Sequence, residues 1–471
     1  MECDGTPPPD YIALSHAWGS GEHRPLETVG DNVDEHRAQI MTDALSRNFR
    51  DAIAVCRRLG EMYLWIDSLC IIQDDDEDKA REIPRMHEIY GGAVLTISAM
   101  SAHDGRGGCW IPRKRVFDLP LENGRSTRLA FHRSLEPDFQ HTSFVGSQFD
   151  TEYDSELDTQ YPLATRKWAL QERVLSRRIL HFTAQCLLWE CQHDDNGARC
   201  ACGTLDILYP DNTKRNVFKA LTGEDADDFY VTFDQARGLR CEFYVVFHWM
   251  ALVIAFSHAH LSNETDVLPA LAGLASAFSK KDLGIYCAGL WEASLPVALC
   301  WCTSQADSRE ATYFRPTKFV APTWSWASVR GAIRFDALDC VDSDLDNFKP
   351  VAFVRSITCE ATNQDEFGYV QPGSRLNIMA PGCVLPPESI TATTVSGFER
   401  AKFKVDTLKD IPLEQECFIA LIFTKEPDDS QALVLVANAD GTYRRCGLIR
   451  FRDSPVRVLD HFPDWMDFEI V

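Results

Sequence analysis

The chain has 471 residues, 45% hydrophobic and 25% charged. That is the make-up of a globular protein with apolar material for a large core, and it excludes a disordered, collagenous or coiled-coil chain. With 47 Lys and Arg against 70 Asp and Glu, the net charge of −23 repels phosphate backbones and anionic lipid surfaces, which argues against nucleic-acid binding and membrane docking.

The first hundred residues alternate between strand and helix patterns. Tyr11–Ser15 (YIALS) reads as a buried strand. From Ser46 to Leu59 the apolar residues Phe49, Ile53, Cys56 and Leu59 recur at helical steps, with Ser46 as N-cap and Gly60 as the stop. Met62–Cys70 reads as a strand running into a loop, and Asp74–Asp78 is an acidic run. A helix carries Met86, Ile89 and Tyr90, with Pro84 in its first turn or kinking it. Ala93–Ala99 reads as a third strand. Strands and helices in alternation predict a parallel sheet covered by helices.

Residues 101–160 are rich in Gly, Asp and Ser and read as loops with a few short strands. Trp168–Leu175 reads as a helix and Ile179–Cys191 as a hairpin. Asp194–Gly223 reads as irregular and 229–300 as mostly helical. Within the latter, Phe243–Phe256 is the most apolar stretch and falls short of the ~20 residues of a membrane span, so it reads as a buried helix. Ala321–Gly331 reads as strand and turn. Beyond Cys340 the pattern is β-like, with strands at Cys417–Thr424 and Ala432–Val436 and a hairpin turn at Asp440-Gly441 before Arg445–Phe451. The expected organisation is an α/β domain over 1–185, a mainly helical region over 186–335, and a small β-rich part over 336–471. The 17 cysteines are scattered, and Met1–Asp10 has no apolar run for a signal peptide. The sequence thus predicts a cytoplasmic protein with reduced thiols.

Four blocks, in this order and spacing, resemble the fungal heterokaryon-incompatibility (HET) domain family. They are YIALSHAWG (Tyr11–Gly19), Phe49–Asp75 with its LWIDSLC core, MHEIYGGAVLTISA (Met86–Ala99) with the Gly107-Gly108 loop, and PLATRKWALQERVLSRRILHF (Pro162–Phe182) leading to LWEC at Leu188–Cys191. The resemblance covers roughly residues 11–175. Thr265–Ala275, Tyr286–Trp301 and Ala321–Ser328 look like the region that commonly follows the domain. Pro84 departs from the family's continuous helix, and the short segment before YIALS suggests a truncated start. The resemblance implies self/non-self recognition between fungal cells and cell-death signalling, with protein partners or self-association.

The family is thought to be distantly related to Toll/interleukin-1 receptor (TIR) domains, which implies a TIR-like or flavodoxin-like parallel sheet. Some TIR domains hydrolyse NAD, so NAD enters as a substrate and no cofactor is implied. In plant TIR domains the catalytic Glu lies four residues after a Trp, and Trp168-Ala169-Leu170-Gln171-Glu172 has that spacing. One helical turn puts the indole and the carboxylate on one side. The ring could stack on a base, and Glu172 could stabilise the oxocarbenium-like charge that develops as nicotinamide leaves. Alternatively, Trp168 is core and Glu172 pairs with Arg166, Arg173 or Arg177.

Ligands of parallel sheets bind beyond the strands' carboxyl ends. Asp67 sits at such an end, and Ser15, His16 and Trp18 leave the first strand at the same edge. Glu172 is therefore the catalytic candidate, and Trp168, Asp67, Ser15, Trp18 and Arg166 are the substrate-binding ones. Asp67 equally suits a loop-capping carboxylate, Trp18 a packing aromatic, and His16 a structural hydrogen-bonder. The Arg166, Arg173, Arg177 and Arg178 cluster suits a pyrophosphate, an acidic partner or surface salt bridges. Asp74–Asp78 has oxygen ligands for a divalent cation but suits a helix N-terminus better. Cys186, Cys191, Cys200, Cys202 and His193 have zinc-ligand chemistry at the wrong spacing, so no metal is expected. Cys70 has no His partner in sequence to activate it.

Overall fold

The computed structural model of the chain describes residues 9–110, 116–120, 126–130, 161–184, 187–192, 199–200, 217, 221, 230–234, 239–303, 313–335, 348–361 and 366–471, the last without 388, 392–394, 397, 399, 411–414 and 426–427. The chain divides into two compact units, Met1–Phe218 and Lys219–Val471.

The first unit is built on a six-stranded sheet. Its strands are β1 (Ile12–Ser15), β2 (Leu64–Ile66), β3 (Leu95–Ser98), β6 (Arg178–Phe182), β7 (Leu187–Cys191) and β8 (Arg199–Cys200), in the order β2-β1-β3-β6-β7-β8. A separate hairpin pairs β4 (Val116–Pro120) with β5 (Ser126–Ala130). The strands β2, β1, β3 and β6 run parallel, with Leu14 opposite Ile66 and Ile97, and Ile97 opposite Leu180. The strands β6 and β7 form the expected antiparallel hairpin. Every residue of β1 and β3 is buried, as a parallel sheet covered on both faces requires.

Helices fill the crossovers. After the short α1 (Val33–Ala38), α2 (Arg47–Leu59) starts where Ser46 accepts a hydrogen bond from Phe49 N and stops at Gly60, whose φ of 82° suits glycine. Its buried face is Phe49, Ala52, Val55 and Cys56. Leu59, expected on that face, is 55% exposed, because the last turn stands clear of the sheet along with Arg57 and Arg58.

The strand expected over Met62–Cys70 is three residues long; Asp67 then opens a helical turn, α3 (Asp67–Cys70). In the acidic run, Asp75 caps α4 (Asp76–Glu82) by accepting from Glu77 N and Asp78 N, and buried Asp78 accepts from Ile72 N. Pro84 falls between α4 and α5 (Met86–Gly92): the ring that cannot donate a helical hydrogen bond separates two helices. The helix α6 (Lys167–Leu175) packs on α5 and β1.

The second unit contains the antiparallel pair of β9 (Tyr230–Asp234) and β10 (Leu239–Glu242), where the sequence reads as helical. Then α7 (Phe243–His258) buries Val246, Trp249, Val253 and Phe256, as its apolar run predicts, and α8 (Pro269–Phe278) is buried nearly throughout. Ala321–Gly331, expected to include a strand, is mostly turn, with one 3-10 segment, Trp326–Ser328, and a single antiparallel bridge from Arg330 to Phe314. Trp324 and Trp326 there are large buried side chains that anchor the turn without sheet pairing.

Short strand pairs β11 (Tyr286–Cys287) with β12 (Leu290–Trp291) and β13 (Trp301–Thr303) with β14 (Ile333–Phe335) precede the main sheet. That sheet comprises β15 (Phe348–Pro350), β16 (Phe353–Thr358), β17 (Arg375–Leu385), β18 (Ala401–Val405), β19 (Cys417–Lys425), β20 (Asp429–Ala437), β21 (Tyr443–Phe451) and β22 (Asp464–Ile470). The helix α9 (Pro455–Asp460) precedes β22. Pairing runs β19-β20-β21-β22-β17, and β17 also pairs with β19, which closes the five strands into a ring. The β-rich part is thus an extended sheet rather than a small appendage. Asp440-Gly441 makes the predicted turn between β20 and β21.

Asp194–Gly223, apart from four positions within it, and most of 101–160 beyond Trp110 lie outside the described residues. So do Cys186, His193 and Cys202 of the zinc candidates; Cys191 is half-buried. No helix among the described residues is long and apolar enough to cross a membrane.

Candidate functional site

The carboxyl ends of β1 and β2 bring Ser15, His16 and Asp67 together, as the parallel topology predicts, and α6 lays Glu172 against them. Glu172 is buried, 5% exposed, and its Oε2 has no partner at hydrogen-bonding geometry. Burial pushes its pKa from 4.5 up to about 7, and the charge of Asp67 pushes the same way. The Ser15 and Tyr90 side chains and the Arg166 guanidinium pull it back down. Three neighbours therefore favour the charged carboxylate, and desolvation with one like charge outweighs them.

Asp67 is held in place on both oxygens. Trp18 Nε1 donates to Oδ2 at 2.7 Å and Ser68 N donates to Oδ1 at 2.7 Å. Its side chain is 17% exposed, so it is the more open of the two carboxylates. Asp67 thus caps its own turn while standing beside His16 and Trp18. Trp18 is likewise more than a packing aromatic: its ring stacks near His16 with centroids 6.5 Å apart, and Arg24 lies over it at 5.3 Å.

His16 differs from its expected role. A structural hydrogen-bonder would have a partner, yet neither ring nitrogen has one at hydrogen-bonding geometry. Nδ1 lies 3.6 Å from Asp67 Oδ1, and Phe49 meets the ring edge-on at 5.0 Å. Burial lowers the imidazole pKa, Asp67 opposes this and Arg166 adds to it, so the ring is neutral at neutral pH.

Arg166, the residue before α6, donates to His16 O at 2.9 Å and thereby ties the helix start to the end of β1. The other end of α6 is tied by Ser176 Oγ, which donates to Glu172 O at 2.7 Å and lies 2.6 Å from Thr96 Oγ1 on β3. Arg173 does not pair with Glu172. It makes a bidentate contact with buried Glu190 at 2.9 and 2.7 Å, and His181 Nε2 lies 3.1 Å from the same carboxylate. Arg177 and Arg178 are exposed. The basic cluster is thus divided: Arg166 faces the site, Arg173 clamps α6 to β7, and the other two face solvent. Trp168 is half-buried one turn before Glu172 on α6.

Tyr90 was not singled out in the sequence. It is fully buried at the end of α5, its hydroxyl donates to Leu14 O at 3.3 Å, and its pKa is driven well up by burial and then by Glu172. Its sequence signal was a hydroxyl inside the otherwise apolar Met86–Ile89–Tyr90 face, which periodicity counts only as core.

Cys70, exposed at the end of α3, does not acquire a His partner among the described residues. Among the described residues no group of His, Cys, Asp and Glu is arranged to hold a metal ion.

Residues 11–172 match the family described as heterokaryon incompatibility protein (HET). A stretch of 94 residues is 38% identical to heterokaryon incompatibility protein 6, OR allele, of Neurospora crassa; it spans 19% of this chain and 14% of that protein's length. No solved structure matches the chain. The match to the family ends at Glu172, so the whole cluster lies inside it.

Proposed function

We propose, because residues 11–172 match the HET family, that the chain is a heterokaryon-incompatibility-type effector of fungal self/non-self recognition and cell death, acting by cleavage of the nicotinamide–ribose bond of NAD. The domain is TIR-like on this reading. The observation that carries it is Glu172, a carboxylate lifted to about 7 by burial and Asp67, beside Ser15 and Tyr90 at the carboxyl ends of parallel strands. A carboxylate perturbed by burial and a like charge at such an edge is a functional-site candidate. Glu172 in its charged form stabilises the oxocarbenium-like sugar as nicotinamide departs. Arg166 offers charge for the pyrophosphate, and Trp168 and Trp18 offer aromatic faces for the bases. Recognition of a protein partner or self-association sets the activity.

One observation favours a second reading. Glu172 is only 5% exposed, so the same cluster also suits a buried polar knot that fixes a non-catalytic interaction module. An NAD-consumption assay separates the two. Purified full-length chain is expected to release nicotinamide, and Glu172→Gln is expected to abolish release with the circular dichroism spectrum unchanged. No turnover by the wild type at high protein concentration, with and without a crowding agent, overturns the enzymatic reading. Toxicity on overexpression that persists in Glu172→Gln supports the interaction module instead.

A further inference from the structure

His16 is the residue at the strand ends to which no role has yet been given. Its side chain is 1% exposed, and neither ring nitrogen has a hydrogen-bond partner. A buried donor or acceptor left unpaired costs about 1–3 kcal/mol, so an imidazole unpaired at both nitrogens calls for a reason, and catalysis is one.

Three contacts hold the residue in place. Ile12 and Leu14 of β1 belong to the core that α2 covers, and His16, two residues on, meets Phe49 of α2 edge-on with ring centroids 5.0 Å apart. The Trp18 ring lies nearly parallel to the imidazole, at 16° and 6.5 Å. On the backbone, Arg166 Nη1 donates to His16 O at 2.9 Å, which ties His16 to the start of α6, the helix that carries Glu172.

Asp67 faces the ring, with Oδ1 3.6 Å from Nδ1. The carboxylate is fixed, because both oxygens accept at 2.7 Å, one from Trp18 Nε1 and one from Ser68 N. The turn that carries it is fixed as well. Gln73 Nε2 donates to Asp67 O at 3.1 Å, Ser68 Oγ to Leu26 O at 3.0 Å, and Thr28 N to Ser68 O at 2.9 Å. The 3.6 Å gap is longer than a hydrogen bond, and contacts of this kind between catalytic groups tighten in the substrate complex. A carboxylate at Nδ1 selects the tautomer: Nδ1 carries the proton, and Nε2, on the far side of the five-membered ring, presents a lone pair. Burial keeps the ring neutral against the pull of Asp67, so that lone pair is free to take a proton. The imidazolium that results stands against Asp67, which stabilises it as the carboxylate of a Ser-His-Asp triad does.

We propose that His16, positioned by Asp67, is the general base that takes a proton from the water attacking the ribose in NAD hydrolysis. This rests on the NAD-cleaving reading of the site and adds to it the group that handles the proton. The bond from the anomeric carbon to the nicotinamide nitrogen breaks, and its electron pair leaves with neutral nicotinamide. The water oxygen bonds to the anomeric carbon, one of its protons passes to Nε2, and the imidazolium later releases that proton to solvent. NAD and water thus give nicotinamide, ADP-ribose and one proton. Glu172 steadies the charged sugar, and Asp67 acts in this step through His16 as a positioning residue.

The test compares two fates of the same sugar in full-length protein. Hydrolysis requires a proton to leave the water. Exchange, in which added acetylpyridine takes the place of nicotinamide, uses a nucleophile with no proton to lose. Chromatography of the products from NAD, with and without acetylpyridine, measures both. His16→Gln is expected to cut ADP-ribose formation about 100-fold, the size of a general-base contribution, while exchange stays within a few-fold of wild type. Unchanged hydrolysis in the variant, or equal loss of hydrolysis and exchange, overturns the base role and leaves the NAD reading standing. A wild type that carries out neither reaction overturns both. Where His16→Gln does not fold, the wild type alone decides. The charged groups that face the ring are Asp67 and Arg166, and acid protonates it between them. Hydrolysis is then expected to fall relative to exchange as pH is lowered, because the charge of Glu172 serves both reactions and cancels in the ratio. A ratio that does not move with pH overturns the proposal.

Discussion

Glu172 allows a pH experiment whose size follows from the structure. It is an acid whose folded pKa, about 7, lies above its ordinary 4.5. Between those values the folded chain keeps a proton that the unfolded chain has released. Stability from this group is therefore fully present below about pH 4.5, falls as pH rises, and is lost above about 7. The gap of about 2.5 at ~1.36 kcal/mol per pH unit amounts to about 3 kcal/mol, an order-of-magnitude figure for so buried a group. Glu172→Gln copies the neutral form and cannot ionise. Against wild type, the variant is expected to gain about 2–3 kcal/mol in relative stability between pH 5 and pH 8. Urea unfolding of the full chain at both pH values, followed by tryptophan fluorescence, measures this. The two units can give two transitions, and the one that moves with pH in wild type and not in the variant reports the first unit. Taking the difference between the proteins cancels the other titrating groups. A Gln-minus-Glu stability difference that is the same at both pH values would refute the burial argument and, with it, the acid's role at neutral pH.

Asp67→Asn removes the charge that helps raise Glu172, so the wild-type stability loss should shift to lower pH; an unmoved midpoint would show that burial acts alone. In the second unit, Arg445 is fully buried, with Nε 3.0 Å from Asp406 Oδ2, Nη2 2.5 Å from Trp301 O, and its guanidinium 3.5 Å over the Trp301 ring. Asp406→Ala strands that charge and is expected to cost about 3–5 kcal/mol, read as a lowered urea midpoint of the second transition.

Several features were legible because they are local. The Ser46 cap and Gly60 stop bracket α2 by backbone chemistry that needs no neighbours. The small-residue end of β1, the acid after Trp65-Ile66, and the β20–β21 turn at Asp440-Gly441 are also short-range signals. The one-turn spacing of Trp168 and Glu172 likewise fixes a shared helix side. It does not fix the neighbours, and those depend on how far α6 is rolled against β1 and α5. Local pattern went wrong where packing decides exposure. Leu59 fits the apolar period of α2 yet lies past the edge of the sheet, and Ala321–Gly331 has strand-like residues whose indoles found buried sites in a turn.

The sequence alone determined the alternation of strands and helices and the resemblance of its four blocks to HET domains, since periodicity, capping and motif order are properties of consecutive residues. Only the tertiary structure decided which arginine faces Glu172, that neither His16 nitrogen has a hydrogen-bond partner, and that Tyr90 joins the cluster. Each of these joins residues from separate segments. A pKa is set by desolvation and by the charges and donors that folding brings within a few ångströms, and neither can be read along the chain.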